Sequence, residues 1–138
     1  MISQLTVFLE NEKGRLAAAC RAVSDAGINM HALNLADTSD FGVVRMLTDT
    51  PEAAAEALRE QGYRATVTPV LAVRVPNVPG GLAKLLEFMD EQDANVEYGY
   101  CFSVNEDYAV DVLKADGSDD LEQKLTDAGF EPVRPEDI

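Results

Sequence analysis

The sequence predicts an α+β protein in which one βαββαβ unit occurs twice, with antiparallel sheets and helices on one face. Three observations predict it. The 138-residue chain matches itself at a fixed spacing. Strand-period and helix-period segments follow the same order in each half. Hydrophobic residues make up 46%, enough for packed cores despite a formal charge of 11 − 25 = −14.

The repeat shows in residues 66 apart. Leu5 matches Leu71, Val7 matches Val73, Asn11 matches Asn77, Gly14 matches Gly80, and Leu16-Ala17 matches Leu82-Ala83. Asn29 matches Asn95, Val44 matches Val110, and Leu47 matches Leu113. After one inserted residue the spacing is 67, pairing Asp49 with Asp116, Leu58 with Leu125, and Gly62 with Gly129. A match over half the chain marks a duplication. The predicted domains are 1–69 and 70–138, separated only by Thr68-Pro69-Val70 and expected to pack side by side.

Each element follows from local pattern. Leu5, Val7 and Leu9 alternate, which predicts a strand, and Asn11-Glu12-Lys13-Gly14 predicts a turn. Leu16, Ala19, Cys20 and Val23 recur at helical spacing, and Gly27 is a natural stop. Strands are predicted over 29–37 and 41–47, across the polar turn Asp37-Thr38-Ser39-Asp40. Thr50 is placed to cap a helix with Pro51 at its first position, and a fourth strand follows over 63–68. The second half predicts strands at 71–75, 95–103, 107–113 and 130–133, and helices at 80–92 and 119–128. Ser118 or Asp119 is the expected cap of the last helix. The order in each half is that of a ferredoxin-like unit. A unit this small buries a thin core and leaves strand edges that want partners, so a homodimer is expected.

Composition excludes several functions. An acidic chain repels phosphate backbones and anionic lipid surfaces, so neither nucleic acid nor membrane is an expected partner. No apolar run approaches the roughly 20 residues of a membrane span. Met1 to Glu10 lacks the basic start of a signal peptide, which points to the cytoplasm. One histidine, His31, and two cysteines, Cys20 and Cys101, show no zinc-ligand spacing, so no metal or cofactor is expected. His31 reads as a partly exposed strand residue, and both cysteines as small core residues. The cluster Asp116-Gly117-Ser118-Asp119-Asp120 lacks the spaced ligands of a calcium loop. Arg45 reads as a solvated surface residue, and Tyr98 and Tyr100 as ordinary strand packing.

Asn77-Val78-Pro79-Gly80-Gly81-Leu82, after the first strand of a βαββαβ unit, resembles the motif of the ACT domain. Phe8-Leu9-Glu10-Asn11, Gly27-Ile28-Asn29-Met30, Ala36 to Gly42 and Leu71-Ala72-Val73-Arg74-Val75-Pro76 extend the resemblance to stand-alone tandem ACT proteins. The first half has Lys13 where the motif has proline, adding a cation and a backbone N–H. The second half has Asp93 where the first has Gly27.

The resemblance implies a non-catalytic protein that binds a small molecule, most often an amino acid, and regulates metabolism. The chemistry suits it, because a helix start attracts a carboxylate and an Asn amide serves donor or acceptor. The implied ligand-binding residues of the first repeat are Asn11, Lys13, Gly14, Arg15 and Leu16, with Asn29 and Met30. Those of the second are Asn77, Pro79, Gly80, Gly81 and Leu82, with Asn95 and Val96. Capping of the helices alone would explain the same Asn and Gly residues. Two other readings stand beside the sensor: a subunit docking on a biosynthetic enzyme, and an acylphosphatase-like enzyme using Arg15, whose phosphate cradle the sequence does not display.

Overall fold

The computed structural model describes residues 1–37, 41–103, 105–116 and 120–137. It divides the chain into an N-terminal unit, Ser3–Thr68, and a C-terminal unit of Pro69–Ile138 with Met1–Ile2. The turn at residues 38–40 and the expected caps Ser118 and Asp119 lie outside the described residues.

The N-terminal unit contains β1 (Ile2–Glu10), α1 (Arg15–Asp25), β2 (Met30–Asp37), β3 (Phe41–Thr48), α2 (Pro51–Glu60) and the start of β4 (Arg64–Pro76). Its sheet order is β2-β3-β1-β4, with β1 and β2 antiparallel to β3. Leu5, Val7, Leu9, Val44 and Met46 line the face that packs on Ala19 and Val23 of α1 and Leu58 of α2. The opposite face carries buried polar groups. Gln4 Nε2 donates to Thr6 Oγ1 at 3.0 Å, and the Thr6 and Thr68 hydroxyls lie 3.1 Å apart.

The C-terminal unit repeats this with the rest of β4, α3 (Gly81–Glu91), β5 (Val96–Ser103), β6 (Tyr108–Ala115), α4 (Leu121–Asp127) and β7 (Glu131–Pro132). Its order is β7-β4-β6-β5, antiparallel throughout. Leu71, Val73, Val75 and Leu113 pack on Leu85 and Met89 of α3 and Leu121 and Leu125 of α4. Phe88 and Phe130 close this core with ring centroids 5.3 Å apart. A mixed α+β chain of two ferredoxin-like units is therefore what the sequence folds into.

Several local expectations are corrected. The segments 63–68 and 71–75 form one strand, because exposed Pro69 adopts strand geometry and lacks only an N–H. Thr50 holds the N-cap position of α2 without a side-chain cap bond. Cys20 packs half-buried against the core, and burial raises its thiol pKa. Cys101 is exposed on β5 rather than in the core. Arg45 is half-buried on β3, with its Nε shielded from solvent. Asp93 takes the left-handed conformation of its counterpart Gly27, at φ 56° against 76°, a region Asp tolerates.

The inserted residue also sits earlier than the sequence match suggests. Leu5 faces Met46, and Leu71 faces Leu113. Leu33 faces Met46, and Gly99 faces Leu113. The first members of these pairs are 66 apart and the second 67, so the extra residue precedes β6. Along a strand, a shift of one residue exchanges faces. Val44 therefore corresponds to Asp111, not Val110, and an acid stands on the helix-covered face. Asp111 is only 4% exposed, and its Oδ2 has no hydrogen-bond partner among the described residues. Burial raises its pKa above the ordinary 3.8, partly opposed by a hydrogen bond from Cys101.

Two stability predictions follow from these contacts. A Cβ at Gly81 would lie 2.3 Å from the Pro76 carbonyl oxygen. Gly81→Ala should cost about 1–3 kcal/mol in urea unfolding, as overpacking does. Asp111→Val should instead stabilise by about 1–3 kcal/mol, the cost of an unsatisfied buried acceptor. A raised folded pKa means the parent is relatively best below the ordinary carboxylate pKa and loses stability as pH rises through the folded value. The advantage of Asp111→Val should thus widen as pH rises above about 4 in unfolding titrations.

Candidate functional site

The strand-to-helix turn has the same geometry in both units. After β1, Glu12 N–H donates to the Glu10 carbonyl at 2.8 Å, and Arg15 N–H to Glu12 at 3.3 Å. After β4, Val78 N–H donates to Pro76 at 2.9 Å, and Gly81 N–H to Val78 at 3.1 Å. Gly14 at φ 89° and Gly80 at φ 86° then turn the chain into α1 and α3. A side chain at either φ would be strained. The exchange of Lys13 for Pro79 leaves this turn unchanged, because the backbone N–H that Lys13 has and proline lacks forms no part of its hydrogen bonds.

Capping does not account for the asparagines. The N-cap of each helix is the glycine, which has no side chain, and neither first turn holds an acid. The Asn77 amide Nδ2 donates to the Glu106 carbonyl at 3.3 Å, and its backbone N–H to Asp107 at 2.9 Å. These bonds tie the β4–α3 turn to the segment before β6. Asn11 instead lines a cavity of about 210 Å³ with Leu16, Leu35 and Gly42.

The structure gathers some expected residues and separates others. Asn29 and Asn95 stand after the far ends of α1 and α3, each helix 11 residues long. At about 1.5 Å per residue that is about 16 Å from the turn. There the Asn29 carbonyl accepts from Asp49 N–H at 3.2 Å, and Asn95 N–H donates to Asp116 Oδ1 at 2.9 Å. Met30 and Val96 are half-buried against the two cores. Lys13 and Leu82 are exposed, Leu82 at 43%. Arg15 forms exposed ion pairs with Glu10 and Glu12, both at 3.5 Å.

Each unit also has a larger cavity where the strand-to-helix turn meets the turn before the last strand. In the C-terminal unit it measures about 580 Å³ and is lined by Pro79, Gly80, Lys84, Tyr108 and Phe130. Arg74 reaches it from β4, with its guanidinium carbon 5.0 Å from the Tyr108 ring centroid. The Arg74 Nε is buried without a hydrogen-bond partner among the described residues. Asp107 and Glu131 bring negative charge to the same wall. In the N-terminal unit the matching cavity of about 630 Å³ is lined by Phe8, Arg15, Phe41, Tyr63 and Arg64. Arg64 lies 5.6 Å from the Phe8 ring centroid. Both volumes fall in the range of small-molecule sites.

Sequence reasoning missed Arg74, Lys84, Tyr108, Phe130 and Glu131. One signal was available: Arg74 interrupts the apolar run Leu71-Ala72-Val73-Arg74-Val75 on the strand face opposite the core. Away from these cavities, His31 Nε2 pairs with Asp49 Oδ1 at 2.5 Å. Among the described residues, no group of three or more His, Cys, Asp and Glu could hold a metal ion, and no helix is long and apolar enough to cross a membrane.

Comparison with known proteins agrees with this architecture. The protein BT0572 from Bacteroides thetaiotaomicron is 32% identical over 99% of this chain and 94% of its own, with a TM-score of 0.92. The ligand-free regulatory subunit of aspartate kinase from Thermus thermophilus shares the fold at 18% identity, covering 91% and 89% of the two chains, with a TM-score of 0.69. Escherichia coli aspartokinase III, in complex with lysine and aspartate, shares it at 17% identity over 91% of this chain and 30% of its own, with a TM-score of 0.51. No curated protein matches the chain. The family model described as an ACT domain pair matches residues 1–134, and the chain belongs to that family.

Proposed function

We propose that this protein is a non-catalytic regulatory protein of amino-acid metabolism that binds an amino acid through its strand-to-helix turns. The two ACT domains would be 1–69 and 70–138. The observation that carries this reading is the turn itself, built twice on a positive-φ glycine with the same hydrogen bonds, Asn11 and Glu12 lining a small cavity in one unit and Val78 to Gly81 a larger one in the other. A helix start left uncapped by side chains suits a ligand carboxylate. The shared fold of aspartate kinase regulatory subunits, and of an aspartokinase crystallised with lysine and aspartate, supports an amino acid as ligand class. The binding residues proposed are those of the two turns, Asn11 to Leu16 and Asn77 to Leu82. Residues such as Asn29, Met30, Asn95 and Val96 would contribute only to the turn of a different unit, in this chain or in another copy, since they stand about 16 Å from the turn of their own unit.

A biosynthetic enzyme is the second proposed partner. Val78, Leu82 and Leu86 are 60%, 43% and 38% exposed along the β4–α3 turn and α3, an apolar strip suited to docking. The charge of −14 argues against nucleic acid and anionic lipid, and the protein is proposed to work in the cytoplasm.

A thermal-shift screen across the twenty amino acids tests the proposal. A ligand at a hundredfold its Kd stabilises the native state by about 2.7 kcal/mol, which raises Tm by several degrees. Asn77→Ala should weaken binding about 5- to 150-fold, and Gly80→Val more. No shift with any amino acid would sink the reading. Equal affinity in both variants and the parent would place the site elsewhere.

Self-association has its own test. β2 and β5 end their sheets with unpaired edges. The protein should run as a homodimer by light scattering at micromolar concentration, and a persistent monomer at high concentration would exclude it.

A further inference from the structure

We infer that the C-terminal cavity is the zwitterion site of this protein. Arg74 would take the α-carboxylate and Glu131 the α-ammonium of an amino acid with an apolar side chain. The inference rests on the amino-acid reading above but gives the carboxylate to Arg74 in place of the helix start, and it confines binding to the C-terminal unit and to one ligand class.

The argument begins with charge. Arg74 and Glu131 are ladder partners on β4 and β7, yet they form no ion pair among the described residues. Both line the cavity. Two opposite charges held on adjacent strands, and not spent on each other, match the carboxylate and ammonium of one amino acid. The Arg74 guanidinium is held over Tyr108, and its Nε is shielded from water without a partner. A stacked guanidinium keeps its remaining donors in a plane suited to bidentate carboxylate recognition. Lys84 adds positive charge on the α3 side, and Asp107 adds negative charge beside Tyr108. Pro79, Val78 and Phe130 supply the apolar part of the wall.

The N-terminal unit lacks this pairing. Phe8 stands where the other unit has Arg74, and Arg64 where it has Glu131. Its cavity has two arginines and one acid, Glu10, already paired with Arg15. The ammonium partner is missing there, so one amino acid per chain is expected.

Calorimetry on the full chain tests this with three probes: L-phenylalanine, phenethylamine without the carboxylate, and phenylpyruvate without the ammonium. L-phenylalanine should bind the parent at one per chain and at least tenfold tighter than either analogue. Arg74→Gln should weaken L-phenylalanine at least tenfold and leave phenethylamine unchanged. Glu131→Gln should weaken L-phenylalanine and leave phenylpyruvate unchanged. Arg74→Lys, with a Tm near that of the parent, should recover part of the loss and excludes misfolding as its cause. L-phenylalanine binding that survives Arg74→Gln unchanged overturns the assignment but not the regulatory reading. An amino acid other than an apolar one binding best overturns the ligand class. A parent that binds no amino acid overturns both.

Discussion

The approach of α3 to the end of β4 is the constraint on which the C-terminal unit depends. In the C-terminal unit α3 starts so close to β4 that Gly81 has room for no side chain against the Pro76 carbonyl. Gly80 supplies the positive φ that turns the chain into the helix. Once that corner is set, Leu85 and Met89 fall on the sheet and the core closes. The same corner leaves a gap toward the turn before the last strand, because a helix pulled onto one end of a sheet cannot also cover that turn. The cavity is a consequence of the packing. The sequence had only to line it.

Duplication gave two copies of the positive-φ turn, and a one-residue difference before β6 is one of the changes that make the two units chemically different. The insertion keeps the strands paired but changes which side chains face the helices. Asp111 thereby occupies the place of Val44. A buried carboxylate with one oxygen unpaired is a cost that the fold tolerates because the rest of its core is apolar. Nothing in the described residues offsets it beyond the Cys101 thiol.

Much of the fold was legible because it is written in local periodicity. Alternation marked β1, the alanine-rich run marked α2, and the repeat of Asn and Gly located both turns. What failed was information carried between distant segments. The one-residue register of β6 is set by pairing with β4 and β5, and a sequence match through Val110 looks equally apolar on either face. Pro69 looked like a boundary, yet a strand tolerates proline where its N–H is not needed. The asparagines read as helix caps or ligand contacts, and Asn77 is also a tie to Glu106, 29 residues away. The cavity escaped for the same reason: Arg74, Tyr108 and Phe130 come from three separate elements, and their meeting is a property of the sheet.

The net charge bears on the ligand as well as on the partners. Of 11 basic residues, Arg15, Arg64, Arg74 and Lys84 line the two large cavities, within a chain that has 25 acids. At physiological ionic strength the field of exposed charge decays over about 8 Å, so a ligand approaches through a negative potential and meets the cations only at contact. A dicarboxylate is repelled during that approach, while a zwitterion with no net charge is not. At contact, the guanidinium of half-buried Arg74 would hold the carboxylate of the proposed ligand through short-range bonds that the outer field hardly weakens. An acidic surface around a half-buried arginine would therefore separate ligands that share a carboxylate by their total charge, and favour those that bring their own ammonium.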